Sequence, residues 1–436
     1  MKRTEEMRNS GHAWIGMIPK HWNVMRMKNV FQNISEKNHP DAEVLSLYRE
    51  YGILPKNSRS DNHNVTSEDT ASYKYVRKGD LVINKMKAWQ GSLAISDYEG
   101  IVSPAYYVCG FVDETLSKRY YHYLIRSKNY AQEYERLSTG MRVGQWDLGI
   151  DDFMKIPVLV PPIEEQYQIG EFLDSACSHI DELIEETKKS IEEYKHWKAS
   201  IIEETVTKGL EPNRKLRESG LTWLSEIPEE WKVSRLKNIF SFGKGLPITK
   251  DNLTESGVAV ISYGQIHAKG NPGTCIVDEL IRYVPESFIE SNPDSLVHEG
   301  DFLVADTSED IEGCGNCAYV DMEMPLFAGY HTIILKATES RDNKYLAYLY
   351  KSDAWRSQIR NQVSGVKLFS ISKKILNVVT VIIPPEEERK QIVAFLDEKC
   401  ALIDSMIEEK IKLIEDLDLY KKSLISEVVT GKRKVV

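Results

Sequence analysis

The chain has 436 residues, enough for two or three domains. Its apolar share of 42% and charged share of 28% are those of an ordinary folded protein, and it lacks the run of about 18 apolar residues that a membrane-spanning helix needs. The formal net charge of −10 argues against a nucleic-acid binder until its distribution is considered.

That distribution is uneven. Residues 1–162 hold 22 basic and 19 acidic side chains, a balance of +3, whereas residues 163–211 hold 5 and 13, a balance of −8. Residues 212–385 come to −3 (19 and 22) and residues 386–436 to −2 (10 and 12). The acidity therefore sits mainly on one stretch, and the first body is slightly basic. Met1-Lys2-Arg3-Thr4-Glu5-Glu6 has no apolar core, so no secretory signal is expected there. Six scattered cysteines are expected as free thiols in a reducing, cytoplasmic setting. Cys314-Gly315-Asn316-Cys317 is a lone CxxC without the two further ligands that zinc requires, so it reads as a turn and no metal is expected.

In chain order, the opening carries Ser10-Gly11, Trp14, Ile18-Pro19, Trp22, Val24, Arg26, Lys28-Asn29 and Phe31. The tryptophans and Ile-Pro suit packing and a rigid turn. A β-rich body follows, with strand-like runs at Asp80-Leu81-Val82-Ile83, Leu93-Ala94-Ile95, Ala105-Tyr106-Tyr107-Val108 and Ile156-Pro157-Val158-Leu159-Val160. A helical piece is expected over 117–137. Lys85-Met86-Lys87-Ala88-Trp89-Gln90-Gly91 joins two of the runs and offers cations and an amide, groups that pair with guanine and adenine edges. If the partner is DNA, Lys85, Lys87 and Gln90 are the candidate contacts here; the alternative is a plain hairpin, and Trp89 is better explained by packing. Thr139-Gly140-Met141-Arg142-Val143-Gly144-Gln145-Trp146 is a second such loop, with Arg142 and Gln145 as candidates.

From Ile163 the period changes. Apolar residues at 169, 173, 176, 180, 183, 191 and 194 form one stripe of a long helix. Pro161-Pro162 precede it, Glu164 and Glu165 fill its first turn, and Lys208-Gly209 ends it. At about 1.5 Å per residue such a helix is about 60 Å long.

The pattern then starts again. Ser219-Gly220, Trp223, Ile227-Pro228, Trp231, Val233, Arg235, Lys237-Asn238 and Phe240 repeat the opening 209 positions on. Strand-like runs recur at Asp301-Phe302-Leu303-Val304, Cys317-Ala318-Tyr319-Val320, His331-Thr332-Ile333-Ile334-Leu335 and 378–383, with a helical piece over 343–362. Candidate contacts here are Lys244 and Gln265, with Lys367 as the counterpart of Arg142. Asp306-Thr307-Ser308-Glu309-Asp310 with His331 can be drawn as a metal cluster, but Asp and Ser next to a strand suit a turn better. Finally Pro384-Pro385-Glu386-Glu387-Glu388 begins a second long helix that repeats the first 223 positions on, through Phe395-Leu396-Asp397, Ile403-Asp404 and Val429-Thr430. Two apolar stripes of that length are expected to cover each other as an intramolecular coiled coil. The alternative is two amphipathic helices, each lying on its own domain.

The ends and helices thus repeat closely while the bodies diverge, which suits two equivalent scaffolds carrying two different reading surfaces. This layout resembles the specificity subunit of type I restriction–modification systems. The resemblance rests on the 10–31 opening, the run from Gly79 to Gly91 with Gly100-Ile101-Val102-Ser103-Pro104-Ala105-Tyr106, the Pro-Pro-x-Glu-Glu helix starts, the Val-Thr helix ends and Ala328-Gly329-Tyr330-His331-Thr332. It covers essentially the whole chain. It departs where Glu386 and Arg389 replace Ile163 and Gln166, and in the additional Cys314 and Cys317.

The resemblance implies an α+β fold with two pseudo-repeated β-rich target-recognition domains, 1–162 and 212–385. Each is followed by a long spacer helix, 163–211 and 386–436, and the two helices pair as an antiparallel coiled coil. It implies that each domain reads one half of a split double-stranded DNA target. Half-sites on such a pseudo-dimer lie about one helical turn, about 34 Å, apart. It implies two methylation subunits docked on the helices and two restriction/translocation subunits completing the complex, with no cofactor and no catalysis by this chain. The sequence agrees on the last point: no GxxxxGK[ST], GxSxG, HExxH or Asn/Asp-Pro-Pro-Tyr/Phe stretch occurs. An enzyme with an unrecognised motif and a coiled-coil scaffold that does not read DNA are the competing classes.

Overall fold

The computed structural model describes residues 6–49, 51–58, 70–142, 145–338, 343–365 and 367–435; the side chains at 141, 142 and 145 lie outside the description. The chain divides into two compact units, Met1–Lys188 with Ile411–Val436, and Lys189–Lys410. Each unit is a mixed body plus part of both long helices, Ile163–Lys208 and Glu386–Val429.

The first unit is built on a four-stranded antiparallel sheet ordered Phe31–Ile34, Tyr106–Phe111, Leu81–Asn84, Leu93–Ile95. Leu81, Ile83, Leu93 and Cys109 are buried in the main core of the unit. Val82, Ala94 and Val108 enter a smaller core under the hairpin Leu45–Tyr48/Gly52–Pro55. A sheet covered on both faces explains why Leu81-Val82-Ile83 is a continuous apolar run and does not alternate. The opening forms a hairpin, Met7–Asn9 with Met17–Pro19. Its continuation Asn23–Arg26 pairs with the last strand of the body, Pro157–Val160.

The expected helical piece is two helices, Lys118–Arg126 and Lys128–Leu137, broken at Ser127, whose ψ of 154° is extended. A further short helix, Ile150–Lys155, was not expected.

The second unit repeats this frame. Its four strands run Phe240–Lys244, Thr332–Ala337, Phe302–Ala305, Cys317–Tyr319, and Lys232–Arg235 pairs with Thr380–Ile383. Its helical piece is likewise split, at Ser352, into Lys344–Lys351 and Asp353–Arg360. Residues 378 and 379, expected in the last strand, instead end and follow the helix Lys373–Val378. The unit also has a second sheet, ordered Arg282–Val284, Val258–Ile261, Leu326–Ala328, Leu296–Val297, with one parallel pairing. The first unit repeats that order as Gly52–Pro55, Leu45–Tyr48, Gly100–Val102, Lys74–Val76, its parallel contact reduced to the bridge Val44–Ile101. Two additional cores, around Ile261 and around Val260, hold the sheet of the second unit in place.

In each unit the helices are clamped by the same three contacts. Trp22 Nε1 donates to Glu165 at 2.8 Å, and Trp231 Nε1 to Glu388 at 2.9 Å. The Tyr120 hydroxyl reaches the Val429 carbonyl at 3.2 Å, and the Tyr345 hydroxyl the Val206 carbonyl at 2.8 Å. The Tyr123 hydroxyl donates to Asp174 at 2.8 Å, and that of Tyr348 to Asp397 at 2.6 Å. The start of one helix and the end of the other therefore lie at the same tryptophan. Asp181 meets Lys421, and Lys198 meets Asp404, further along. In each unit the helix pair runs antiparallel, its apolar stripes buried: Ile180 and Ile184 with Leu424 and Val428, and Ile202 and Val206 with Ile392 and Leu396. Coiled-coil cover, and not two lone helices on separate bodies, is what the structure has.

Candidate nucleic-acid interface

In the first unit the two candidate loops come together. The hairpin Thr139–Asp147 rises between the helices Lys128–Leu137 and Ile150–Lys155. At its base the Leu148 amide donates to the Lys85 carbonyl at 3.0 Å, and Lys85 Nζ lies 3.3 Å from Asp147 Oδ2. The Trp89 and Trp146 rings meet edge to face with centroids 5.0 Å apart, so Trp89 packs as expected. Its indole N–H donates to the Met86 carbonyl at 3.1 Å, closing the turn over buried Ala88.

This turn leaves Lys87 exposed and Gln90 half-buried, while Lys85 is spent partly on Asp147. Arg142 and Gln145 pair with each other across the hairpin backbone, their side chains lying outside the description, as do Val143 and Gly144. Lys85, Lys87 and Gln90 thus share one surface with the hairpin that carries Arg142 and Gln145.

In the second unit four segments converge. The helix Tyr263–Ile266 holds Gln265, whose side-chain oxygen accepts from the Ser262 amide at 3.1 Å; Gln265 is therefore also a cap of its own helix. Ser262 Oγ accepts from the Tyr330 amide at 3.1 Å, which ties that helix to the turn at 329–331. A Cβ on Gly245, the residue after exposed Lys244, would collide with the Gly329 carbonyl. The close backbone approach there requires glycine. The strand Phe369–Ser370 pairs with Thr307–Ser308, which brings the exposed Lys367 loop to the same side; Val366 lies outside the described residues.

At the centre His331 has a left-handed φ of 55°, uncommon for a residue with a Cβ. Its Nδ1 lies 2.8 Å from Asp306 Oδ1, which also accepts from Thr307 Oγ1 at 2.7 Å. Tyr263 stands edge-on to His331 at 5.5 Å, and Tyr330, 47% exposed, packs beside it at 4.0 Å. His331 is thus strained, paired and flanked by aromatic rings. Sequence reasoning put His331 at the start of a strand, and named Tyr263 and Tyr330 within their runs without making either a candidate contact. Their signal in the sequence is weak: two tyrosines next to glycine.

Cys314 and Cys317 are both buried, and burial pushes the Cys317 thiol up to about 11, so neither offers a thiolate at neutral pH. Among the described residues no group of three His, Cys, Asp or Glu is placed to hold a metal ion, and no helix is long and apolar enough to cross a membrane.

The family model described as Type I restriction modification DNA specificity domain matches the chain twice, over residues 19–193 and 228–416. The MjaVIII specificity subunit of Methanocaldococcus jannaschii is 25% identical over 434 residues, covering 96% of this chain and 94% of that one. The EcoKI specificity subunit of Escherichia coli K12 is 21% identical over 211 residues, 48% of this chain and 44% of that one. Among solved structures, a chain from a study of assembly and conformational transition of the type I R-M system superposes with a TM-score of 0.71 at 15% identity, over 95% of this chain and 99% of that one. The HsdS subunit of Thermoanaerobacter tengcongensis gives 0.54 at 14% identity, over 95% and 98%. These superpositions establish the fold. With two matched domains spanning most of its length, the chain belongs to the type I restriction–modification DNA specificity family.

Proposed function

We propose that this chain is the sequence reader of its complex and that it reads a split target. Residues 1–162 take one half-site and residues 212–385 the other; the helices at 163–211 and 386–436 set the unread gap and dock two methylation subunits. Two restriction/translocation subunits complete the assembly on double-stranded DNA in the cytoplasm. The chain itself does no chemistry. The observation that carries this reading is the contrast within the repeat. The clamps on the helices recur residue for residue, Trp22–Glu165 as Trp231–Glu388, while the matching strand pairs of the two bodies are joined by residues 49–51 in the first and by residues 262–281, with the helix Tyr263–Ile266, in the second. Equal anchors suit two copies of one partner, and unequal bodies suit two different half-sites.

Within the bodies, Lys87, Gln90, Arg142 and Gln145 are the proposed base contacts of the first half-site, with Lys85 beside them. Lys244, Gln265 and Lys367 are those of the second, joined by His331. Cations and amides of this kind reach guanine and adenine in the major groove. The test is to express the chain with its methylation subunit and map methylated bases across a genome. A split motif with a fixed gap, in which exchange of residues 1–162 alters one half only, supports the reading. A single continuous motif, or methylation independent of this chain, overturns it.

A further inference from the structure

The opening repeat holds two surface cations that packing does not explain. Most other identities between residues 8–31 and 217–240 have a structural reason. Trp22 and Trp231, Ile18 and Ile227, and Phe31 and Phe240 are buried. Gly11 and Gly220 have φ of 84° and 70°, and Arg8 and Arg217 donate to the carbonyls of Trp22 and Trp231. Surface positions between them have drifted, even in sign: Lys20 is matched by Glu229, His21 by Glu230 and Met25 by Ser234. Against that drift Arg26 and Lys28 recur as Arg235 and Lys237, all four exposed.

Their mounting is rigid in both units. Met27 and Leu236, between the cations, are fully buried. Their amides donate to the Ile156 carbonyl at 2.9 Å and the Val379 carbonyl at 3.0 Å. Each anchor opens a short 3-10 turn, Met27–Asn29 or Leu236–Asn238, and the two cations of each pair are exposed on either side of the anchor. Each pair lines an open groove, of about 1010 Å³ in the first unit and about 470 Å³ in the second.

In the first groove Arg136 is taken by Glu133 at 2.7 Å and Lys155 by Asp152 at 3.0 Å, which leaves Arg26 and Lys28 as the charge in excess. The second groove has no acidic residue in its lining, so Arg235 and Lys237 are again in excess. Among the described residues none of these four cationic ends meets a carboxylate.

We propose that these matched grooves grip the DNA sugar–phosphate backbone, one beside each half-site, and position each reader without contributing to base choice. This rests on the split-target reading above. The partner must be anionic and must present the same chemistry twice while the bodies meet different sequences; the phosphate backbone does both. In the first unit the groove is lined by the end of the helix Lys128–Leu137 and by Ile150–Lys155, the two helices between which the candidate reading hairpin rises, so backbone and base edge are met from one site.

The experiment uses the complex with its methylation subunits and compares the R26Q/K28Q, R235Q/K237Q and fourfold variants with the unsubstituted chain. Equilibrium binding to duplexes with and without the target is measured across a salt series, and subunit content is checked by native mass measurement. Each paired variant is expected to lower the slope of log affinity against log salt by about 2, and the fourfold variant by about 4, at close to 0.9 per phosphate contact. Affinity falls by the same factor on both duplexes, so the mapped motif and the preference for target are unchanged. An R26K/K28R chain keeps the slope, which separates charge from folding. An unchanged slope overturns the proposal. So does loss of methylation subunits with the slope intact, which would assign the grooves to an acidic partner chain. If the unsubstituted complex shows no preference for a split target, the split-target reading fails, and the slopes on plain duplex still decide whether the grooves hold phosphate.

Discussion

Lys421 donates to both oxygens of Asp181 at 2.6 Å, and this contact is repeated 223 positions on with its partners exchanged: Asp404 answers Asp181, and Lys198 answers Lys421. The relation arises only if two near-identical helices pair antiparallel, so it ties the sequence repeat to the register of the helix pairs. Both aspartates are about half exposed, which limits each pair to about 0.5 kcal/mol. Asp181→Lys puts two like charges together and is expected to lower the denaturation midpoint. Adding Lys421→Asp is expected to restore it, and the 198/404 pair is expected to add independently. A double variant as unstable as the single one would show that this contact does not help to set the register.

The tryptophan clamps are the stronger link. Trp22 is 2% exposed, stands edge-on to Tyr120 at 6.3 Å, and gives its indole N–H to Glu165; Trp231 does the same with Tyr345 and Glu388. Glu165→Ala strands a largely buried donor, at a cost of about 1–3 kcal/mol. Trp22→Ala adds a cavity and costs about 3–5 kcal/mol. Calorimetry of the two variants and of their counterparts at 388 and 231 tests this. Costs below about 0.5 kcal/mol for the tryptophan variants would mean that the helices are held by their own seam alone.

Acid sensitivity of the first unit is expected to centre on His122. Burial, with Arg126 and Arg119 nearby, pushes its imidazole down to about 3, against about 6.5 in an unfolded chain. Between those values the unfolded chain binds a proton that the folded one refuses, so stability falls as pH drops below about 6.5 and the loss is complete near pH 3. At pH 5 the penalty from this group is about 2 kcal/mol. His122→Gln removes it. The midpoint of the variant is expected to decline less between pH 7 and pH 5 than that of the parent; parallel declines would place the acid response elsewhere.

The frame was legible because it repeats. Pro161-Pro162 and Pro384-Pro385, the Phe-Leu-Asp motifs and the paired tryptophans are periodic or spaced in ways that sequence preserves. The role of Asp174 and Asp397 was not legible, since it lies in hydrogen bonds to Tyr123 and Tyr348, some fifty residues upstream. The second sheet of the second unit was missed for a related reason. Its parallel pair joins Val258–Ile261 to Leu326–Ala328 across a long stretch of chain, and its strands are two to four residues long. For the candidate interface, the sequence supplied residue types, but the approach of the 85–91 turn to the 139–147 hairpin is set by Trp89 on Trp146 and Lys85 on Asp147. Those are tertiary contacts without a local signature.

His331 offers a separation of stability from function. Its left-handed φ of 55° costs about 1 kcal/mol that glycine does not incur. Its hydrogen bond to Asp306 returns a similar amount, being 2.8 Å long and partly exposed. His331→Gly is therefore expected to leave the denaturation midpoint within about 1 kcal/mol of the parent. The same variant removes an imidazole flanked by Tyr263 and Tyr330, and one good base contact is worth about 1–3 kcal/mol of discrimination. Methylation mapping is expected to show relaxed choice at one base of the second half-site, with the first half-site unchanged. If the variant is markedly destabilised, the strain is repaid by packing and the residue is structural. If it is stable and reads both half-sites as the parent does, the base contact lies elsewhere in that body.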